Sequence, residues 1–454
     1  MNIDALWQAR RGDAGMAPLL VALLLLLLPA LVLVTGVGTG LISFAFLFAA
    51  LATWGAARTT LLRDWCAVRW VVLALLANFL FALLCFALRP EERANVLERP
   101  LRMLLALSAL LVVRHWRPGS AALKRGLIAG AFAGAVFVSY QRWGLHMERP
   151  GGLINSITFG DISLCFGLML LAWAGTVART RQALWPAAGA LAALAGTIAT
   201  GTRGGLLALL FAAWIFFRYR ALVRARMMRT LGALALGLLV LSYCVPQTGM
   251  RTRVADAVAN VEQYFKGGSA YTNVGIRLEL WKGAAMLIGE RPWLGLSIDA
   301  SAQRMAQLVA AGRLDAVTLE PSHVHNDMLQ RLVTGGVPGM LIWSATLIAP
   351  LLFFAAPLRR AALPSRQQSS RQQPGRQQSS RQQPSREQVA LSLAGVLLVT
   401  CYASFGLTEV IFWSLRSCLF YATMVFILMG LCLNAADVAA ETDAAAPPHA
   451  GPAP

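Results

Sequence analysis

The chain has 454 residues, 57% of them hydrophobic and only 13% charged, with a mean hydropathy of +0.60. A soluble domain is about half apolar and a quarter charged, so this composition argues against an ordinary water-soluble enzyme. The formal charge of +19 would suit nucleic-acid binding in a soluble chain. Here the basic residues fall between apolar runs and no interleaved aromatic and basic motif accompanies them, so no nucleic-acid partner is expected.

Apolar runs long enough to cross a bilayer recur along the whole chain. Arg10 and Arg11 precede the first, which lacks an evident cleavage site and is expected to remain as an uncleaved helix. About twelve membrane helices are predicted, at roughly 17–37, 40–57, 67–88, 99–114, 124–141, 160–178, 184–200, 204–218, 230–246, 330–356, 389–407 and 411–434. The fold class is therefore an all-α polytopic membrane protein. With the N-terminus in the cytoplasm, the inside segments hold 23 of the 40 Lys and Arg and 7 of the 21 acids, a net +16. The outside segments hold 16 basic residues and 14 acids, a net +2, and Arg416 lies within the last helix. That asymmetry follows the positive-inside rule.

Four regions result. Residues 1–246 carry helices one to nine, and 247–329 form a large outside loop, amphipathic and long enough for a small helical subdomain. Residues 330–434 carry helices ten to twelve, interrupted at 365–388 by a degenerate Arg/Gln/Ser/Pro repeat without an apolar residue, expected to be a disordered cytoplasmic loop. The Ala- and Pro-rich tail 435–454 is expected to be disordered too. The seven cysteines form no CxxC pair and lie mostly in apolar runs, which implies buried free thiols, without a disulfide framework or zinc site.

The candidate functional residues lie on the outside. Arg89, Arg93, Arg99 and Arg102 crowd one short loop with Glu91, Glu92 and Glu98. Either the acids neutralise them or some meet an anionic headgroup, and Arg142, His146 and Arg149 in the next outside loop carry the same ambiguity. Thr200-Gly201-Thr202-Arg203-Gly204-Gly205 is a tight turn between two apolar runs. Arg203, near a helix start, could grip a phosphate with a forked pair of hydrogen bonds or simply snorkel to the interface. In Gly275-Ile276-Arg277-Leu278-Glu279, Arg277 could pair with Glu279 or Glu262, or point to an anionic ligand. Within Pro321-Ser322-His323-Val324-His325-Asn326-Asp327, a histidine could act as a base or be a structural helix-start residue. The HxH pair could bind metal, but no third ligand of the usual spacing accompanies it. Glu409, near the outer end of helix eleven, suits a capping or helix-pairing role better than a catalytic one.

His325 and Asn326, followed by nine residues and then Gly336-Val337-Pro338-Gly339, resemble the signature of the bacterial O-antigen ligases. The Thr-Arg-Gly-Gly turn at Arg203 is similar to the first of that family's two essential arginines, and Gly275-Ile276-Arg277 before Trp281 to the second. The likeness covers about residues 150 to 345; the first four helices match only in hydropathy, and the Arg/Gln/Ser repeat is not part of the pattern. The resemblance implies a GT-C-like glycosyltransferase without cofactor or metal, embedded among membrane lipids of the bacterial inner membrane with its site facing the periplasm. It implies a glycan donor on undecaprenyl diphosphate and, for a ligase, a lipid A–core acceptor. His325 would then be the general base and Arg203 and Arg277 would stabilise the departing diphosphate. Arg99, Arg102, Arg142, Asn326 and His323 are the further substrate-binding candidates. An O-antigen polymerase and a protein O-oligosaccharyltransferase are the related alternatives. A transporter or flippase is the alternative of another class, though few mid-span charges and no half-to-half repeat favour it.

Overall fold

The computed structural model describes residues 15–202, 204–363 and 383–444, and the described chain is all-helical. In chain order the helices are α1 Met16–Val32, α2 Gly38–Ala52, α3 Trp54–Leu88, α4 Glu98–Leu105, α5 Leu107–Trp116, α6 Ala121–Ser139, α7 Ser156–Thr176 and α8 Thr180–Ala199. They continue with α9 Leu207–Arg218, α10 Ala225–Cys244, α11 Met250–Phe265, α12 Gly275–Glu290, α13 Ile298–Ala310, α14 Asp327–Ala361, α15 Arg386–Phe405 and α16 Leu415–Ala444. Among the described residues eight helices (α3, α6, α7, α8, α10, α14, α15 and α16) are long and apolar enough to cross a membrane. Three shorter apolar stretches, Met16–Val32, Gly38–Ala52 and Gly204–Arg218, accompany them. The chain is an integral membrane protein.

The centre of the bundle is α7, α15 and α16, whose apolar windows are each 89% buried against other helices. Small residues permit that packing. A Cβ on Gly126 or Gly130 of α6 would strike the backbone of Leu26 or Pro29 in α1, and one on Gly395 would strike the Phe354 ring. At the periphery, α10 leaves Leu234, Leu236, Val240 and Leu241 uncovered, an apolar face suited to lipid.

Several boundaries depart from the sequence reading. Residues 58–66 were expected to join two helices, yet α3 runs unbroken for 35 residues from Trp54. The charges there suggest a loop, but no proline interrupts the helix, and Asp64 accepts from Arg114 at 2.5 and 3.0 Å. Arg114 is buried and also bonds Asn434 and Asp437 of α16. The tail expected to be disordered from residue 435 is instead helical to Ala444, because Asp437 and Glu441 meet Arg114 and Arg117. Most of the 365–388 repeat and residues 445–454 lie outside the described residues, while Arg386–Gln388 already belong to α15.

Within residues 247–329, α12, α13 and the segment that follows them share a core of their own. Leu280, Ala284, Leu287, Met305, Leu308 and Leu314 pack together, and the cluster reaches Val324 and Val333 at the start of α14. Glu279 ties this unit together, accepting from Tyr264 Oη at 2.7 Å and from the Asp315 amide at 3.3 Å. Its carboxyl is held below its ordinary value: burial raises it, but these bonds and Lys282 outweigh burial. Tyr264 correspondingly rises to about 12, first through burial and then through Glu279.

The Gly-Val-Pro-Gly segment is a break inside α14. Gly336 sits at φ 60°, ψ −162°, where a side chain would meet the carbonyls of Pro292 and Trp293. The carbonyls and amides freed there pair with the loop before α13: Leu296 N–H donates to Val333 O and Val337 N–H to Pro292 O, each at 2.8 Å. Arg89 locks the junction by donating to the Thr334 and Leu294 carbonyls and to Glu92.

Candidate active site

The segment 321–326 and the turn 406–414 meet where α14 begins and α15 ends. Asn326 caps α14: its Oδ1 accepts from Leu329 N–H at 3.0 Å, while its Nδ2 donates to Leu407 O at 3.1 Å. Asp327 N–H donates to Gly406 O at 2.8 Å, which fixes the two segments side by side. The histidines are held from behind as well. Trp281 Nε1 donates to Val324 O, and Val324 N–H donates to Gln330 Oε1, both at 3.0 Å. His325 adopts φ 52°, a left-handed conformation uncommon for a residue with a side chain.

These constraints bring both histidines onto one carboxylate. His325 Nδ1 lies 3.0 Å from Glu409 Oε2, and His323 Nε2 lies 3.4 Å from Glu409 Oε1. The two imidazoles pack edge to face with centroids 4.5 Å apart. His323 also packs on Trp413 at 5.4 Å. His323 Nδ1 accepts from the His325 amide at 3.4 Å, which favours the tautomer with its proton on Nε2, toward Glu409. The carboxylate likewise favours a proton on His325 Nδ1, leaving Nε2 as the basic nitrogen. Burial pushes His323 below its ordinary value, opposed by Glu409. For Glu409, burial acts upward, but the His325 hydrogen bond and the two histidines' charges outweigh it and hold the carboxyl below the usual range.

Arg277, from the start of α12, belongs to this cluster. It is half-buried and feels the attraction of Glu409 and Asp161 and the repulsion of Arg149. Burial lowers its proton affinity, yet a guanidinium remains charged there. Neither expected partner holds it, since Glu279 is engaged by Tyr264 and Lys282, and Glu262 by Lys266. Arg203 lies outside the described residues. On either side of it, Thr202 bonds Thr200, and a Cβ on Gly204 would press on Thr408, the neighbour of Glu409.

The remaining candidates divide. Arg99 stacks over Trp413 at 4.9 Å, on the ring that also touches His323. Arg102 pairs with Glu98 at 2.7 Å and lies over Phe44. Arg142 donates to the carbonyls of Met147, Glu148 and Thr248, so its fork is occupied by backbone. Both polar ends of the Asn326 side chain are likewise engaged.

The sequence reading missed the centre of the cluster. It gave Glu409 a capping or pairing role, and it found no third ligand for the HxH pair. Glu409 is that third group: the ligand atoms of His323, His325 and Glu409 lie within 4.8 Å of one another, a set that could hold a metal ion. Asp161, deeply buried on α7 with Oδ1 unbonded against Gly205, is a second acid not singled out. Its only sequence signal is a lone charge at the head of an apolar run.

A family model described as O-Antigen ligase matches residues 188–344, a stretch that contains Arg203, Arg277 and His325 but ends before Glu409. A protein of Haemophilus influenzae described as uncharacterized is 22% identical over 300 residues, covering 64% of this chain and 75% of that one.

Proposed function

We propose that this membrane protein, whose residues 188–344 carry the O-antigen ligase family domain, is the ligase itself. It moves a glycan from undecaprenyl diphosphate to a sugar hydroxyl of the lipid A–core at the periplasmic face of the inner membrane. The family match supports a membrane glycosyltransferase of the ligase and polymerase type. The observation that carries the finer reading is the His325–Glu409 contact at 3.0 Å beside Arg277.

A sugar hydroxyl is a weak nucleophile whose proton must leave as it attacks. His325 Nε2 takes that proton while Glu409 holds the ring by Nδ1 and stabilises the imidazolium that forms. The acceptor oxygen bonds to the anomeric carbon, and the bond from that carbon to the diphosphate oxygen breaks. The diphosphate leaves as an anion and needs charge stabilisation rather than a proton. Arg277 and Arg203 supply fixed positive charge and forked donors for it. Attack opposite the leaving group inverts the anomeric centre. His323 packs against His325 and completes the Glu409 pairing.

A second reading follows from the His323, His325 and Glu409 geometry, in which a divalent cation replaces the shared protons and assists the diphosphate. Purified protein, lipid-linked donor and lipid A–core acceptor separate the two. Transfer undiminished by EDTA supports the base. Transfer abolished by EDTA and restored by one divalent metal supports the cation. In a deletion strain, loss of all capped core with accumulated lipid-linked glycan marks a ligase, and a core capped by a single repeat unit marks a polymerase.

A further inference from the structure

A cavity of about 90 Å³ lies between α3, α4 and the first segment of α14, larger than the ~30 Å³ share of one water. Its walls include Phe81, Met103 and Phe412, and three guanidinium groups line it, Arg89, Arg99 and Arg331. Arg331 has a fully shielded Nε that makes no hydrogen bond. A buried donor left without a partner is uncommon and calls for an explanation. The nearest acid along the helix, Asp327, does not close on it: Asp327 Oδ2 accepts from Phe412 N–H at 3.5 Å, its Oδ1 is unbonded, and no ion pair joins it to Arg331 among the described residues. The cavity's other charged pair is self-contained, with Arg89 held by Glu92 and by the Thr334 and Leu294 carbonyls. Arg331 feels the attraction of Asp327 and, more weakly, the repulsion of Arg99, but no ion pair closes either Arg331 or Arg99 among the described residues, so the cavity offers open guanidinium donors beside apolar side chains.

We propose that this cavity is a phosphate subsite for a lipid, in which Arg331 and Arg99 clasp the phosphate of a phosphorylated amphiphile. Forked guanidinium donors suit phosphate oxygens, and the apolar walls suit the adjoining lipid. Trp413 forms a common wall, touching both Arg99 and His323. A lipid phosphate seated here is therefore next to the His325–Glu409 pair. On the transfer reaction proposed above, its owner is the acceptor lipid rather than the donor, whose diphosphate faces Arg277; that assignment rests on that reading, whereas the phosphate subsite does not. Arg277 is not among the residues that line the cavity.

The test is lipid retention by the full-length protein in phosphatidylcholine nanodiscs, followed by native mass spectrometry. The probes are lipid A bisphosphate, its dephosphorylated counterpart, phosphatidylglycerol and inorganic phosphate. Wild type is expected to retain lipid A bisphosphate but not the dephosphorylated lipid. Arg331→Gln and Arg99→Gln should each weaken retention about tenfold or more, and Arg331→Lys by less. Phosphatidylglycerol held with the same dependence on Arg331 supports the subsite and identifies a bilayer phospholipid as its occupant. Retention independent of both arginines, or of the phosphate, overturns the proposal. If Arg331→Gln fails to fold, Arg99→Gln at the more accessible wall decides. The readout contains no transfer step, so the subsite can stand if the transfer reading falls. Where transfer is measured, Arg331→Gln should raise the KM for phosphorylated acceptor about tenfold and leave the donor KM unchanged.

Discussion

His325 and Glu409 are 84 residues apart in sequence, and their side chains meet at 3.0 Å between His325 Nδ1 and Glu409 Oε2. If this carboxylate fixes the imidazole tautomer, Glu409→Gln should keep the protein folded and lower transfer about 10²-fold or more, the scale of a lost general base. His325→Ala should abolish transfer while membrane insertion and yield persist. Initial rates on purified variants, with size-exclusion profiles as the folding control, check both. A Glu409→Gln protein at wild-type rate would remove the orienting role.

Arg277→Lys keeps the charge and loses the fork. A drop in kcat of about 10²-fold is expected, because one donor in a preorganised anion site is worth that much. Arg203→Lys should follow the same pattern. Steady-state kinetics with saturating donor check this, since a change confined to donor KM would indicate ground-state binding alone.

Gly336 holds a backbone conformation in which a side chain would strike the Pro292 and Trp293 carbonyls. Gly336→Ala should cost about 1–3 kcal/mol and disturb the Leu296–Val333 pairing. Thermal unfolding in detergent measures the loss. Gly289, which has open space around it, supplies the control: Gly289→Ala should be neutral or slightly stabilising.

The depressed carboxyl of Glu279 makes the 247–329 unit sensitive to acid. Its folded value lies below the ordinary 4.5, so its contribution is fully present above 4.5 and is lost as pH falls through the folded value. Hydrogen exchange across α11 and α12 should therefore rise as pH drops below that point. In Glu279→Gln the rise should flatten, with a constant loss of about 1.5 kcal/mol from the weaker bond to Tyr264.

Apolar runs were legible because a bilayer demands a long unbroken stretch, and the Arg277 and His325 motifs because their neighbours are local glycines and helix starts. What escaped was set by tertiary contact. Arg58–Asp64 looked like a loop because charge was read as exposure, whereas Arg114 gives Asp64 a buried partner on another helix. Glu409 looked like a helix-end acid because its histidine partners are far away in the sequence. Arg331 gave no signal inside an apolar run, and only the cavity between α3, α4 and α14 makes its unpaired Nε conspicuous.

The most direct test of the account is glycan transfer by the purified protein from an undecaprenyl-diphosphate donor to lipid A–core, comparing wild type with His325→Ala in the presence of EDTA. Wild type is expected to form the linked product with inverted anomeric configuration, and His325→Ala none. Substantial product from His325→Ala, or retained configuration in the wild-type product, would contradict the account.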